Sequence, residues 1–271
     1  MSLGDLGIST VNGGAIGVKN AIINGNFAVN QRGVSGTVTL AAGAYGHDRF
    51  KAGASGCTYT FATANNITTL TISAGSLIQV IEGNNLFTGT YTLSWVGTTQ
   101  GKIGGGSYAS SGVTGTPAGG TNLNIEFNTG TLSLVQFEPG AIATPFERRP
   151  YGDELLLCQR YYYKIKAIGV ADFFGSGLAY GVTKARIVTP FKVSLRTDPT
   201  ALEQSGTASD YRVNNSTAGG INCSAVPVFV SASTEIACVD FTVASGLTAG
   251  NATNALSNTG ANAFLAWSAE L

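Results

Sequence analysis

The sequence predicts an all-β chain made of two antiparallel β-sandwich domains joined by a short helix or connector. Three observations predict it. Apolar residues recur with a period of two and not 3.6, which is the pattern of half-buried strands. The alternate, outward positions are filled by Thr and Ser, which supply β propensity without charge. The apolar runs are short and separated by turn-forming clusters such as Gly83, Asn84 and Asn85 or Asn128, Thr129 and Gly130, as in sandwiches and unlike alternating β/α units.

In chain order the alternation marks Val38/Leu40, Tyr59/Phe61, Leu70/Ile72, and then Tyr91, Leu93 and Trp95 against Thr90, Thr92 and Ser94. Further strands are expected at Leu123/Ile125/Phe127, Phe191/Val193/Leu195, Ala237/Val239/Phe241/Val243 and Leu265/Trp267. Trp95 and Trp267 keep the alternation and are assigned to the core. The Gly- and Ser-rich stretch from Gly101 to Gly120 is expected to be one long loop or flexible hairpin. Only Asp153 to Tyr163 (DELLLCQRYYY) has a helical pattern, with an acidic start suited to a helix N-terminus. Pro145, Pro150 and Gly152 place a domain boundary just before it. The chain is therefore divided into a Gly-rich attachment segment (1–20), a first sandwich (21–147), a connector with a short helix (148–160) and a second sandwich (161–271).

Lys and Arg number 15, as do Asp and Glu, so 11% of the 271 residues are charged and the formal net charge is zero. An average soluble protein carries about 25% charged residues. That composition argues against nucleic acid and anionic membranes, both of which select a basic excess. Gly and Pro together make 44 of the 271 residues, about 16%, below the roughly 25–30% of low-complexity chains. No run approaches the ~18 consecutive apolar residues of a membrane span, and the N-terminus lacks a basic-then-apolar leader, so neither membrane insertion nor export is expected. Cys57, Cys158, Cys223 and Cys238 are scattered; they read as buried reduced thiols, with a Cys223–Cys238 hairpin disulfide as the alternative.

Catalytic chemistry is sparse. His47 is the single histidine, so no multi-histidine zinc site can form, and no Ser lies in a G-x-S-x-G elbow. His47 beside Asp48 offers half of an acid–base pair, but a structural His47/Asp48/Arg49 cluster at a strand start is the expectation. Glu82, Glu126 and Glu138 lie on or near strands of one domain, and a glycosidase would need two carboxylates about 5–10 Å apart. Gly104 to Ser107 lacks the lysine of a phosphate loop. No enzyme, metal or cofactor is expected.

Recognition chemistry remains. Sugars stack their C–H faces on aromatic rings while amides and carboxylates read their hydroxyls. The candidate ligand-binding residues are the aromatics outside clean alternation: Tyr45, Tyr108, Phe173, Phe174, Tyr180 and Tyr211. Ala171 to Gly181 is the best segment, because adjacent Phe173 and Phe174 must face opposite sides of a strand. One of the two then needs a neighbour outside its own core, and another subunit would be such a neighbour.

Several stretches carry a resemblance: NAIINGNFAVNQRG at 20–33, HDRF at 47–50, LFTGTYTLSW at 86–95, the run from Leu132 to Tyr162, and the terminal AFLAWSAEL. Together these are similar to bacteriophage and prophage tail-fibre or receptor-binding proteins. The most specific element is E-P-G-x-x-A-T-P-F-E-x-R-P (138–150) with the L-C-Q-R-Y-Y segment after it. The resemblance implies a jelly-roll module like those of carbohydrate-binding modules, a short C-terminal β-domain and a homotrimer. It further implies attachment to a bacterial surface polysaccharide or lipopolysaccharide, with the N-terminus bound to other tail or capsid proteins. Such a protein is made in the host cytoplasm and resides in the virion. Read from its residues alone, the 138–150 run looks architectural: Glu138, Pro139 and Gly140 close a strand, Pro145 and Pro150 fix φ, and Glu147, Arg148 and Arg149 could pair at the junction. Asn24 to Asn26, Gln31 and Arg32 likewise suit backbone satisfaction at a sheet end. The competing expectations are a structural fibre or decoration component and, less favoured, a polysaccharide hydrolase.

Overall fold

The computed structural model describes residues 19–215, 219–260 and 262–271. The expected attachment segment therefore lies outside the described residues, except for Lys19 and Asn20. The fold is all-β and jelly-roll-like, with antiparallel pairing throughout its three sheets. The chain divides into two units, Met1–Cys158 with Leu271 and Gln159–Glu270.

The first unit contains β1 (Val38–Leu40), β2 (Phe50–Ala64), β3 (Ile67–Ile81), β4 (Tyr91–Val96), β5 (Gly101–Ile103), β6 (Val113–Gly115), β7 (Leu123–Phe127) and β8 (Gly130–Pro139). Its backbone is the β2–β3 hairpin, 15 residues in each strand. The register slips between Ala52 and Cys57 and again between Thr58 and Tyr59, which bends the hairpin midway. Beyond the bend β3 changes partner, pairing through Leu70–Ile72 with β8 and through Leu77–Ile81 with β7. One hairpin thus belongs to both layers of the sandwich. Phe50, Leu77, Ile125 and Phe127 from one layer meet Leu93, Trp95, Leu132 and Phe137 from the other in a single buried cluster.

The helix α1 covers Tyr151–Gln159, with Asp153 and Glu154 in its first turn. It ends earlier than the sequence pattern suggests. Tyr162 and Tyr163 belong instead to β9 (Tyr162–Lys166), because this aromatic run pairs with the last strand, Tyr163 opposite Trp267. The remaining strands are β10 (Phe173–Ala179), β11 (Lys184–Pro190), β12 (Glu203–Gln204), β13 (Tyr211–Asn215), β14 (Gly219–Asn222), β15 (Val228–Ala232), β16 (Ile236–Thr242), β17 (Ala252–Ser257) and β18 (Phe264–Ser268). They form a seven-stranded sheet, β14-β13-β17-β10-β11-β16-β15, and a three-stranded sheet, β12-β18-β9. Tyr163, Leu265 and Trp267 of the small sheet share one core with Phe174, Ile187, Tyr211, Val239 and Phe241 of the large one. Trp267 packs edge-on against Phe191, with ring centroids 5.3 Å apart.

Two further expectations are corrected. Phe191, Val193 and Leu195 form no strand: Pro190 ends β11, and the chain then bends. Phe191 and Leu195 are still buried, their N–H groups donating to the carbonyls of Glu235 and Thr234. The stretch 101–120, expected as a loop or flexible hairpin, contains β5 and β6, three residues each and too short to register as alternation, and its first part does fold back, Gly101 and Ala109 exchanging backbone hydrogen bonds at 2.9 Å. Cys223 and Cys238 are unbridged thiols, so the alternative Cys223–Cys238 disulfide is not formed. Burial pushes the Cys57 and Cys223 thiols up to about 11 and about 12.

Trp267 is fully buried, so Trp267→Ala should remove about 3–5 kcal/mol of stability. A urea titration followed by tryptophan fluorescence and circular dichroism would check this; an unchanged midpoint would contradict the assigned core.

Candidate functional site

The first unit carries an open cleft of about 430 Å³ beside the turn that follows β3. Its lining includes Asn84, Asn85, Phe87, Tyr91, Lys19 and Arg149. The turn is rigid for identifiable reasons. Asn85 and Leu86 donate their N–H groups to the carbonyls of Glu82 and Gly83, closing a 3-10 turn. Gly83 donates to the Asn122 side chain at 2.8 Å and accepts from Gly120 N at 3.1 Å. A Cβ at Gly83 would lie 2.5 Å from the Gly120 carbonyl, so only glycine permits this approach. Leu86 is buried, the Tyr91 hydroxyl accepts from Phe87 N, and the Thr88 hydroxyl accepts from Gly119 N. Phe87 is thereby held with 79% of its surface exposed, beside the exposed Asn84 and Asn85.

The opposite wall is built from the residues that carry the resemblance. The Asn20 side chain accepts from Ile22 N and Phe137 N and donates to the Val135 carbonyl. Asn20 N donates to Glu147 at 2.7 Å. Arg149 lies 3.2 Å from Glu154 and 3.8 Å from Glu147, and it donates to the carbonyls of Ile22 and Asn20. Its Nε is buried and makes no hydrogen bond to any described residue. Lys19 donates to the Thr144 hydroxyl and the Pro145 carbonyl and lies 3.7 Å from Glu138. Glu138 is itself buried, accepting from Gln136 and from both the N–H and the hydroxyl of Thr144. The 138–150 run is therefore an interlocked scaffold, and the exposed Arg148 stands outside these pairs. Each cation of the cleft has a carboxylate beside it. The site thus offers an aromatic face and amides without uncompensated charge.

None of the six sequence candidates lies in this cleft. Phe174 and Tyr211 are core residues, 3% and 0% exposed with ring centroids 5.7 Å apart, and present no face to a ligand. Phe173 projects outward and is 63% exposed, as expected for the partner of an inward Phe174. Tyr180 is half exposed and donates to Asp240 at 2.7 Å, while Arg186 stacks 5.1 Å from its ring. The Tyr45 ring has Arg32 at 5.0 Å, and its hydroxyl donates to the Leu271 carbonyl. Tyr108 donates to Glu126, which also accepts from Ser76 and pairs with Lys102 at 2.9 Å. Burial works against the Glu126 charge, but the hydrogen bonds from Ser76, Lys102 and Tyr108 outweigh it and hold the carboxyl below its ordinary range. Phe87, Asn84 and Asn85 were missed although the signal was present. Leu86 and Phe87 are adjacent between polar turns, so one of them had to point outward, as at Phe173 and Phe174.

Glu126 and Glu138 are each held by separate partners, Glu126 by Ser76, Lys102 and Tyr108 and Glu138 by Gln136 and Thr144. His47 Nδ1 lies 3.0 Å from the Tyr59 hydroxyl, whereas the Asp48 carboxylate accepts from the Gln31 backbone and side chain, each at 2.6 Å. Arg49, at φ +72°, donates to the Val80 carbonyl. These three residues are buried and pin the chain where it enters β2. Among the described residues no cluster of His, Cys, Asp and Glu could hold a metal ion. No family model, curated protein or solved structure matches the chain.

Burial lowers His47 from 6.5 to about 4. Between those values the unfolded chain binds a proton that the folded chain refuses, so stability rises with pH there. The contribution is present in full above pH 6.5, declines as pH falls towards 4, and is gone below. Its size is about 3 kcal/mol. Urea midpoints across this range should show the slope in the parent chain and lose it in His47→Gln.

Proposed function

We propose that the chain is a non-enzymatic receptor-binding protein of a phage tail fibre, attaching the virion to a glycan of the bacterial surface. The observation that carries this reading is Phe87, 79% exposed on a clamped turn, with Asn84 and Asn85 beside it over an open cleft. A rigid ring without a packing partner, flanked by amides, suits the stacking and hydroxyl reading of a sugar. The compensated charge of Lys19 and Arg149 favours a neutral saccharide over an acidic one. The resemblance of the 20–33, 86–95 and 138–150 stretches to tail-fibre proteins points the same way, and those stretches contribute Asn20, Phe87 and Arg149 to the cleft.

The mechanism is multivalent capture. A single exposed cleft of this kind binds weakly, and presenting several copies on one particle raises avidity by roughly 10²–10⁴ when the copies reach their epitopes together. A trimer linked through other tail or capsid proteins provides that presentation.

Fluorescently labelled protein should bind candidate bacterial cells and lose that binding when their surface polysaccharide is removed. Phe87→Ala should weaken binding tenfold or more, equivalent to about 1.4 kcal/mol per site, with an unchanged melting curve. Binding that survives removal of the polysaccharide, or a Phe87→Ala variant that binds like the parent, would overturn the reading.

A further inference from the structure

The seven-stranded sheet of the second unit buries one face in the core, and the strand register names the charges on the other. Lys184 and Arg186 of β11 and Arg212 of β13 stand outward, and Asp240 of β16 is the one carboxylate beside them on the described strands. Three cations thus share one anion on this face, in a chain whose charges otherwise balance. That anion is committed. Arg186 pairs with Asp240 bidentately at 2.9 and 3.0 Å, Tyr180 donates to it at 2.7 Å, and Lys184 adds its attraction. Arg212 lies three strands away from Arg186, roughly 14 Å at ~4.8 Å per strand. Among the described residues no carboxylate pairs with it.

The surroundings of Arg212 leave further hydrogen-bonding capacity open. Across to the edge strand β14, Arg212 is opposite Asn222 and Asn214 is opposite Gly220. A Cβ at Gly220 would lie 2.9 Å from Asn214 Oδ1, 3.2 Å from Arg212 Cδ and 3.5 Å from Arg212 Nε, so the two side chains converge on the space that glycine leaves. Arg212 Nε and Asn214 Oδ1 are both withdrawn from water there, and neither has a hydrogen-bond partner among the described residues. A buried donor and a buried acceptor left unmade are costly, and folded proteins keep few of them. In the other direction, Asn214 is in register with Asn254 of β17 and, beyond it, the exposed Ser176 of β10. Phe173, 63% exposed, is in register with Arg212 through Leu256.

We infer that this corner of the sheet binds a saccharide that carries a carboxylate, with Arg212 as the residue that selects the charge. Three features choose that ligand. A guanidinium without its own carboxylate presents a planar fork of donors that matches the two oxygens of a carboxylate. Asn214, Asn254 and Ser176 supply both donors and acceptors, which the hydroxyls of a sugar use and a bare anion does not. The Phe173 ring adds a face for sugar C–H groups. A bound uronate brings acceptor oxygens for Arg212 Nε and a hydroxyl donor for Asn214 Oδ1. The inference rests on the glycan-binding reading for its ligand class, but not on the cleft of the first unit, whose paired cations suit a neutral sugar.

The test is calorimetric titration of the full chain with oligomers of glucuronate, galacturonate and mannuronate, with the same oligomers after reduction of their carboxyl groups to alcohols, and with glucose 1-phosphate. At least one uronate oligomer should bind, and its reduced form about tenfold more weakly or worse. Arg212→Gln should lose the same factor, and Arg212→Lys should recover only part of it, because an ammonium keeps the charge but not the fork. Gly220→Ala closes the space without removing a polar group and should also weaken binding. All three variants should keep the parent's melting curve, and Phe87→Ala should bind the uronate as the parent does. The inference is overturned if no uronate oligomer binds, if the reduced forms bind equally, if glucose 1-phosphate binds more tightly, or if Arg212→Gln binds like the parent. Uronate binding that depends on Phe87 and not on Arg212 belongs to the cleft and overturns it too. Cell attachment that still needs Phe87 and surface polysaccharide, with no uronate binding, would leave the glycan reading standing and remove this site alone.

Discussion

Everything in the first unit depends on the bend in the β2–β3 hairpin. Gly56 and Gly75 both lie at positive φ, +79° and +70°, and a Cβ on Gly75 would sit 2.0 Å from the Gly56 carbonyl. That approach requires glycine at 75, while Gly56 is fixed by its own positive φ and by the Leu40 carbonyl, 2.8 Å from where its Cβ would lie; together they let the hairpin turn from one layer of the sandwich into the other. Because β3 then pairs with β8 on one side of the bend and β7 on the other, the two layers are held by one continuous piece of chain. The turn that displays Phe87 begins directly after β3 ends. The cleft is thus positioned by the same strand that closes the core.

Low charge content shapes the rest. With 15 acids and 15 bases in 271 residues, there is little surplus to solvate, and removing a carboxylate from water without partners is costly. The chain answers by saturating each one it buries. Glu138 takes three hydrogen bonds from Gln136 and Thr144; Asp48 takes two from Gln31. Glu126 and Asp240 show a shared device on separate sheets, a carboxylate held by a tyrosine hydroxyl and by a cation that also lies over the tyrosine ring. Carboxylates committed in this way are poor general acids or bases.

The two units deploy their exposed side chains differently. In the first, one ring stands out among amides beside a concavity. In the second, Phe173, Leu178 and Val228 stand exposed on the outward face of the large sheet, with Tyr180, Arg186 and Asp240 joined beside them. A concavity lined by amides suits a small polar ligand.

The sequence by itself determined the all-β class and the inward faces of its clearly alternating strands. Alternation at Tyr91, Leu93 and Trp95 or at Val239 and Phe241 is a local property, imposed by the two-residue repeat of a strand, and burial follows from it directly. The outward Phe173 was legible for the same reason. Tertiary structure decided the rest, because it depended on which strands meet. Tyr162 and Tyr163 became strand through pairing with β18, and Pro190 left Phe191 and Leu195 without a ladder. Tyr211 is core because Phe174 packs against it, and which of Leu86 and Phe87 points outward was set by the turn that Gly83 makes against Gly120. Local periodicity says which side of a strand is apolar; which neighbour covers that side is a long-range fact that a linear pattern does not contain.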